Sequence, residues 1–151
     1  MSVKVVSTNR KARHDYYLTD TYEAGIVLQG SEIKSIRAGQ ISIKEAYIQI
    51  EDQEAWLVNA HIAPYEQASY LGHEPRRKRK LLLHRREIDR LWDAIRRKGL
   101  TIVATRVYLK NGRAKIEIAV GRGKKQYDKR HDIAKRDAQR EMDRSLRRKD
   151  Y

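Results

Sequence analysis

Few residues in this chain combine the types and the spacing that enzyme chemistry needs. The sequence of 151 residues contains no cysteine, so disulfides and thiolate zinc sites are excluded. It contains neither a glycine-rich phosphate-binding loop nor a Gly-x-Ser-x-Gly nucleophile motif. The histidines do not pair with one another at metal-ligand spacing; they are His14, His61, His73, His84 and His131. We therefore expect no catalytic residue, no metal site and no cofactor.

Carboxylates leave one enzymatic alternative open, a metal-dependent nuclease. Four acidic residues in the first part of the chain could hold a metal between them: Glu23, Glu32, Glu45 and Asp52. Acidic residues at irregular spacing occur in most chains, so an RNA-processing enzyme is the weaker interpretation.

Two basic runs suggest a different chemistry, the binding of a polyanion. Residues 76–80 are five consecutive cations, Arg76, Arg77, Lys78, Arg79 and Lys80. Because adjacent cations repel one another, a compensating anion is favoured beside them. The second run, residues 121–130, places cations around a tyrosine whose ring can stack on a base. A solvated basic linker is the alternative interpretation of the second run.

The overall charge supports a nucleic-acid partner. Lys and Arg number 34 against 20 Asp and Glu, which gives a net charge of +14. A membrane surface is the competing polyanion, but residues 122–151 lack the broad apolar face of an interfacial helix. No apolar run reaches membrane-spanning length and the N-terminus does not resemble a signal peptide, so we expect a cytoplasmic protein.

The pattern of elements predicts a mainly β fold, a small antiparallel barrel with a few short helices. Strands are predicted at residues 22–29, in a hairpin over residues 41–62 around a polar turn, and in a second hairpin at residues 101–109 and 114–120. Asn111 and Gly112 favour a tight turn in the second hairpin. Many short strands without regular β-α alternation are typical of a barrel.

Two helices are predicted beside the strands. Ser31 can cap a short helix that ends at Gly39, and residues 85–98 form the clearest helix, ended by Gly99. Its apolar residues share one face, so we expect them all in the core; they are Ile88, Leu91, Trp92 and Ile95.

Both ends of the chain are predicted to be flexible. Residues 1–8 show no periodicity and residues 9–14 form a short basic arm, while residues 19–21 suggest a turn. Gly121 and Gly123 loosen the backbone between a barrel of residues 1–121 and a basic tail of residues 122–151. The tail has only a narrow apolar line, so we expect it to be disordered alone and helical on a partner.

Five segments in order and spacing resemble one family, the small protein B or SsrA-binding proteins of bacteria. They are residues 9–16, residues 22–39, the Ile62-Ala63-Pro64-Tyr65 turn, residues 76–84 and residues 121–130. The resemblance implies an oligonucleotide-binding-like barrel and a non-enzymatic adaptor. It implies binding to the tRNA-like domain of transfer-messenger RNA, in place of the anticodon arm that this RNA lacks. Delivery to stalled ribosomes with elongation factor Tu and GTP is implied as well.

The resemblance also assigns residues. Glu23 and Leu82 match family positions associated with transfer-messenger RNA, and His84 lies beside them, so these three join the basic run as the expected RNA surface. Tyr127 matches an aromatic position that stacks in the decoding centre of the small subunit. The accompanying tail residues are Lys124, Lys125, Asp128, Lys129 and Arg130. Residues 147–151 have no clear family counterpart.

Two further expectations complete the interpretation. The resemblance places the tail in the empty message channel, where it folds into a helix, so that the ribosome is freed and its product tagged for degradation. We expect the free protein to be monomeric.

The alternative to an RNA-binding adaptor is a general barrel protein that binds single strands or ribosomal RNA. Basic clusters on both the barrel and the tail favour two partners and therefore the adaptor.

Overall fold

The structure is a computed structural model that describes residues 3–64, 73–124 and 135–142. In chain order its elements are β1 (Val3–Thr8), α1 (Arg10–Asp15), β2 (Tyr16–Ile26), α2 (Gly30–Arg37), β3 (Ile41–Ser42), β4 (Tyr47–Glu51), β5 (Glu54–Val58), β6 (His61–Ile62), β7 (Arg79–Leu82), α3 (Arg85–Lys98), β8 (Thr101–Lys110) and β9 (Arg113–Gly123). Residues 135–142 are helical and exposed. No helix among the described residues is long and apolar enough to cross a membrane.

Seven strands form one antiparallel sheet in the order β1-β8-β4-β5-β7-β2-β9. A further pairing between β8 and β9 closes this sheet into a barrel, with β1 attached to the outside of β8. The short strands β3 and β6 pair separately. The predicted mainly β antiparallel barrel with a few helices is therefore confirmed.

The core fills the inside of the barrel with aliphatic side chains. Along β9, Ile116, Ile118 and Val120 are buried while Lys115 and Glu117 are only partly covered, as the alternation predicts. Fully buried partners come from β5, β7, β8 and α3, and include Leu57, Leu81, Ile102, Val107 and Leu91. The core therefore joins strands that are far apart in sequence.

The two predicted hairpins are present, each with a primed turn. Asn111 and Gly112 have φ angles of 52° and 79°, and Asp52 and Gln53 have φ angles of 50° and 65°. Positive φ at both central residues gives the backbone twist that matches a right-handed pair of strands. The Asn-Gly pair adopts this conformation readily, whereas Gln53 adopts it at some cost.

Helix α3 begins and ends as predicted, but Trp92, which was predicted to lie on its buried apolar face, is exposed. Gly99 has a φ of 63° and ends the helix. Leu91 and Ala94 are buried, whereas Trp92 is 42% exposed and the Arg96 guanidinium lies 4.9 Å from its ring centre. The prediction that Trp92 lies in the core was wrong. Trp92 is one residue, or about 100°, around the helix from Leu91 and so reaches the edge of the contact.

Residues 3–15 form a strand and a short helix rather than a frayed segment. Residues 3–8 pair with β8, from Val3 opposite Lys110 to Thr8 opposite Arg106, and the basic arm forms α1. Asn9 is 3% exposed. Its side-chain oxygen accepts a hydrogen bond from the Ala12 N–H, and its side-chain NH2 group donates to the Ile43 and Ala104 carbonyls. These contacts hold the segment predicted to be a flexible arm, and their partners lie between 34 and about a hundred residues away.

Two smaller predictions also need correction. Residues 19–21 are not a turn but a bulge within β2, where the register against β9 shifts between Leu18 and Thr21. The N-cap of α2 is Gln29 rather than Ser31, and its N–H donates to the Glu32 carboxylate over 2.8 Å.

Gly121 and Gly123 belong to β9 rather than to a flexible junction between the barrel and the tail. A Cβ on Gly121 would lie 3.2 Å from Tyr16 Cβ and 3.3 Å from Leu18 Cδ2, so this glycine permits close packing of the strands. The boundary predicted at residue 121 therefore falls inside a strand, and the barrel continues to Lys124, whose N–H donates to the Asp15 carbonyl over 2.8 Å.

Candidate nucleic-acid interface

Four of the predicted site residues meet in one groove: Glu23, Lys80, Leu82 and His84. Glu23 on β2, Leu82 at the end of β7 and His84 at the start of α3 line an open depression of about 560 Å³. Lys80 and Lys115 lie along the same groove and add positive charge. These residues are up to 92 positions apart, and the pairing of β2 with both β7 and β9 brings them together.

Leu82 gives the groove an exposed apolar surface. Its side chain is 56% exposed although the residue follows the buried Leu81 in the same strand. Leu82 pairs with Gly25, and a Cβ built on Gly25 would lie 3.4 Å from Leu82 Cβ and Cδ1. Gly25 therefore faces Leu82 directly across the strand pair. Sequence reasoning gave Gly25 no role, since only the strand pairing reveals its neighbour.

Glu23 is held as a carboxylate at the edge of the groove. The Tyr108 hydroxyl donates to Glu23 Oε2, and Lys110 Nζ lies 3.5 Å from Oε1. The hydrogen bond from Tyr108, supported by Lys110 and Lys115, lowers the pKa of Glu23 below its usual value. Burial, followed by the same hydrogen bond, raises the pKa of Tyr108 well above its usual value. Glu23 is therefore ionised near neutral pH and can accept hydrogen bonds.

His84 occupies the N-cap of α3. Its backbone N–H donates to Glu87 Oε1 over 3.0 Å, while its side chain remains exposed beside Leu83 and Glu87. His84 therefore combines a capping backbone N–H with a side chain exposed to the groove.

The five cations of residues 76–80 do not share one environment. Arg79 is fully buried, and its Nε lies 2.5 Å from Glu32 Oε2. Its guanidinium also donates to the carbonyls of Arg77, Ala60 and Pro75 at 2.9 to 3.1 Å. Arg79 cannot reach RNA from this position, so its inclusion in the predicted RNA surface needs correction. The physical reason is the alternation of a strand, which turns every second side chain inward.

Glu32 is the buried counter-charge of this network. It is 0% exposed and also pairs with Arg77 over 2.5 Å. Burial alone would raise the pKa of Glu32, but the hydrogen bonds from Arg77, from the Gln29 N–H and from Arg79 together lower it. The network ties α2 to β7 and to the backbone on both sides of residues 65–72, which lie outside the described residues.

The outward members of the run keep contact with solvent. Lys80 pairs with Glu54 over 3.1 Å, and both side chains are about two-fifths exposed. Lys78 pairs with Glu51, and its ammonium lies 4.8 Å from the centre of the Trp56 ring. Arg76 adjoins them, with its backbone N–H bonded to Glu74. Such exposed pairs hold their charges weakly, so phosphate can replace the carboxylates.

Of the six residues predicted for the decoding centre, the structure describes Lys124. Its ammonium lies 5.0 Å from the centre of the Tyr17 ring and 3.4 Å from the Arg13 carbonyl. The remaining predicted positions lie outside the described residues; they are Lys125, Tyr127, Asp128, Lys129 and Arg130.

The described residues contain no group of three or more His, Asp or Glu side chains that could hold a metal. Three of the acids considered for a nuclease have other partners: Glu23 accepts from Tyr108, Glu32 pairs with Arg77 and Arg79, and Glu45 pairs with Lys11.

Comparison with known proteins gives a consistent family. The model of a family described as "SmpB protein" matches residues 6–148. The chain is 59% identical over 145 residues to an SsrA-binding protein of Roseiflexus castenholzii, covering 95% of this chain and 92% of that protein. It is 55% identical over 144 residues to an SsrA-binding protein of Desulforudis audaxviator, with coverage of 95% and 94%.

A solved structure shows the same fold. It comes from work on tmRNA-SmpB in the bacterial ribosome and is 48% identical in sequence to this chain. The superposition has a TM-score of 0.68 and covers 82% of this chain and 86% of that chain.

Proposed function

Since this chain belongs to the SmpB protein family, we propose that it is an RNA-binding adaptor of trans-translation whose groove binds transfer-messenger RNA. The family consists of RNA-binding adaptors rather than enzymes. The observation that carries the proposal is the meeting of Glu23, Leu82 and His84 in one groove. The names of the relatives and of the solved complex support the same RNA.

The groove suits a position in the tRNA-like domain of transfer-messenger RNA at which a base is unstacked. The exposed Leu82 side chain offers an apolar contact to a base face, and the ionised Glu23 accepts hydrogen bonds from base N–H or ribose hydroxyl groups. Lys80 and Lys115 can bind the flanking phosphates. Three carboxylates, Glu23, Glu54 and Glu87, line the groove with the two lysines and disfavour indiscriminate phosphate binding, so the groove favours a particular nucleotide arrangement.

The later steps of the proposal concern the ribosome. The charged RNA is delivered with elongation factor Tu and GTP to stalled ribosomes in the cytoplasm, by a protein that is monomeric when free. Lys125, Tyr127, Asp128, Lys129 and Arg130 then contact ribosomal RNA of the small subunit, with the ring of Tyr127 stacking and the cations binding phosphate. The tail follows into the empty message channel and becomes helical there. Translation resumes on the tag-encoding frame, the ribosome is freed and the tagged product is degraded. The sequence of the tail, rich in cations with a narrow apolar line, supports this step.

Leu82→Ala tests the groove. Covering the exposed part of this side chain with a base is worth about 1 to 2 kcal/mol, which corresponds to about 5- to 30-fold in Kd. Val5→Ala is the matched control, because Val5 is 48% exposed on β1. Fluorescence anisotropy with the isolated tRNA-like domain measures both variants, and equal affinity of Leu82→Ala and Val5→Ala would remove the groove from the interface.

A second measurement separates this function from that of a general single-strand binder. Unstructured RNA of the same length is added as competitor to the complex with the tRNA-like domain. The adaptor should resist competition, whereas a general barrel protein for single strands would be displaced at equal concentrations.

A further inference from the structure

Glu23 lies between two depressions on the barrel surface. One is the groove, which it lines together with Leu82 and His84. The other depression, of about 450 Å³, adjoins the turn of the β8–β9 hairpin and is lined by Glu23, Lys110, Asn111, Arg113 and Lys115. Three of these five residues are cations. The direction of the Glu23 carboxylate therefore decides whether it meets a nucleotide in the groove or turns to the cations beside it.

The hydroxyl of Tyr108 holds this carboxylate from the barrel wall. Tyr108 on β8 is 6% exposed, and its hydroxyl donates to Glu23 Oε2. The hydrogen bond spans β9, whose Lys115 is paired with Gly25 of β2 on one side and with Tyr108 of β8 on the other. Because a buried ring cannot follow a moving partner, the position of the phenol fixes the orientation of the carboxylate.

The neighbours of Tyr108 leave its hydroxyl to Glu23. Glu117 lies directly opposite Glu23 on β9, and two like charges in that arrangement repel each other. Glu117 has donors of its own, since Arg106 Nη2 lies 3.3 Å from its Oε1 and the Thr105 hydroxyl donates to its Oε2 over 2.6 Å. The Arg106 guanidinium also lies 5.3 Å from the centre of the Tyr108 ring. Each carboxylate is thus held by a separate set of donors.

The two oxygens of Glu23 differ in what they can still bind. Oε2 accepts from Tyr108, whereas Lys110 Nζ lies 3.5 Å from Oε1, farther than the roughly 2.7 to 2.9 Å of a charge-assisted hydrogen bond. Oε1 can therefore accept from a ligand. Without the Tyr108 hydroxyl, the terminal torsion of the glutamate has a broad range, and the carboxylate can close on Lys110 or Lys115. Such an ion pair would withdraw an acceptor from the groove.

We propose that Tyr108 is a positioning residue for RNA binding, whose hydroxyl holds Glu23 so that Oε1 accepts a hydrogen bond from an N–H or ribose hydroxyl group of the nucleotide in the groove. The inference rests on the proposed function and deepens it. Tyr108 is buried and acts on the RNA through Glu23. Burial raises the pKa of Tyr108, so the phenol stays a neutral donor throughout the physiological pH range.

Tyr108→Phe tests the proposal, because it removes the hydroxyl and keeps the ring. Tyr47→Phe is the matched control, since it removes a hydroxyl from an exposed tyrosine on β4 outside the groove. Fluorescence anisotropy with the isolated tRNA-like domain measures Kd. Tyr108→Phe should weaken binding by about 5- to 10-fold, as the loss of one hydrogen bond to a charged group implies. Tyr47→Phe should bind as the original protein does, and urea titration checks that both variants are folded.

A double-mutant cycle shows whether Tyr108 acts through Glu23. Glu23→Ala removes the carboxylate, so the further change Tyr108→Phe should alter Kd by less than about 2-fold in that background. A general loosening of the barrel would instead lower affinity by the same factor with and without Glu23.

The pH dependence gives a readout that a purely structural role would not move. The hydrogen bond from Tyr108 is the main cause of the lowered pKa of Glu23, so the carboxylate of Tyr108→Phe should become protonated at a higher pH than in the original protein. Affinity measured from about pH 4 to pH 7 should therefore decline at a higher pH in Tyr108→Phe. Carbon-13 NMR of the glutamate carboxyl groups follows the same titration in the free protein, without RNA.

The outcomes separate this inference from the proposed function. Tyr108→Phe that matches Tyr47→Phe in Kd and in the NMR titration would overturn the positioning role, as would an equal loss of affinity in the Glu23→Ala background. Original affinity in Glu23→Ala itself would count against the groove as the RNA site. In that case the NMR titration would still show whether Tyr108 holds the carboxylate.

Discussion

Arg79→Met should separate a structural cation from a binding cation within one basic run. Arg79 is fully buried against Glu32, and its guanidinium also satisfies three backbone carbonyls within 3.1 Å. Methionine has similar length and no charge, so it leaves a buried carboxylate with only part of its compensation. Removing one partner of a buried ion pair costs about 3 to 5 kcal/mol. That loss is a large part of the stability of a small domain, about 5 to 15 kcal/mol.

Lys80→Met is the matched control, because it makes the same substitution at the next position of β7. Lys80 and Glu54 are an exposed pair, so the change should cost no more than about 1 kcal/mol. With a urea m-value of about 1.5 kcal/mol/M, a loss of 3 kcal/mol lowers the unfolding midpoint by about 2 M. Urea titration followed by circular dichroism therefore distinguishes the two variants.

RNA binding should show the opposite order. Lys80→Met removes a cation of the groove and should lower the salt slope for the tRNA-like domain, whereas folded Arg79→Met should retain the original slope. In addition, Glu32→Gln combined with Arg79→Met should cost less than the sum of the single changes, by about 1 to 3 kcal/mol. Equal unfolding midpoints for Arg79→Met and Lys80→Met would refute the division of the run into buried and exposed cations.

Three further predictions follow from other contacts. The pKa of Glu32 is lowered in the folded state, so its contribution to stability is complete above the unfolded pKa of about 4.3. That contribution is lost as the pH falls through the lower folded pKa. The urea midpoint of Glu32→Gln should therefore depend less on pH below about 4.5 than the midpoint of the original protein does. Asn9→Ala removes a helix cap and leaves two buried carbonyls without their donor, so it should destabilise the barrel by about 2 to 4 kcal/mol in the same urea assay. A loss below about 0.5 kcal/mol would contradict the assigned hydrogen bonds. Deleting residues 131–151 should change affinity for the tRNA-like domain by no more than about 2-fold, because the groove lies entirely in the barrel. Tagging in a reconstituted translation assay should be lost. Loss of RNA binding would instead show that the tail belongs to the same surface as the groove.

The local elements could be predicted because their signals lie within a few residues. The Asn111-Gly112 turn, the C-terminal glycine of α3 at Gly99 and the alternation along β9 each depend on short-range sterics or on one buried face. The net charge of +14 and the basic runs indicated a nucleic-acid partner in the same direct way. The family resemblance then brought Glu23, Leu82 and His84 together as one expected surface.

Contacts between distant residues could not be predicted in this way. Val3 pairs with Lys110 and Asn9 bonds to the Ala104 carbonyl, so both ordered features of the N-terminus depend on partners that no local pattern reveals. The burial of Arg79 required knowledge of which face of β7 meets Glu32, since a run of five cations has no apolar alternation to set its register. Gly121 was interpreted as flexible for the same reason, although its missing side chain serves packing against Tyr16.

The sequence by itself determined the class of the fold, the hairpins, the main helix and the polyanionic character of the partner, because turn chemistry, periodicity and charge act locally or in sum. Tertiary structure alone decided which cations are available to RNA. A buried charge requires an opposite charge and hydrogen bonds, whereas the charge of an exposed ion pair stays available at the surface. Arg79 and Lys80 are neighbours on β7, and their different environments arise because the strand turns one side chain inward and the next outward.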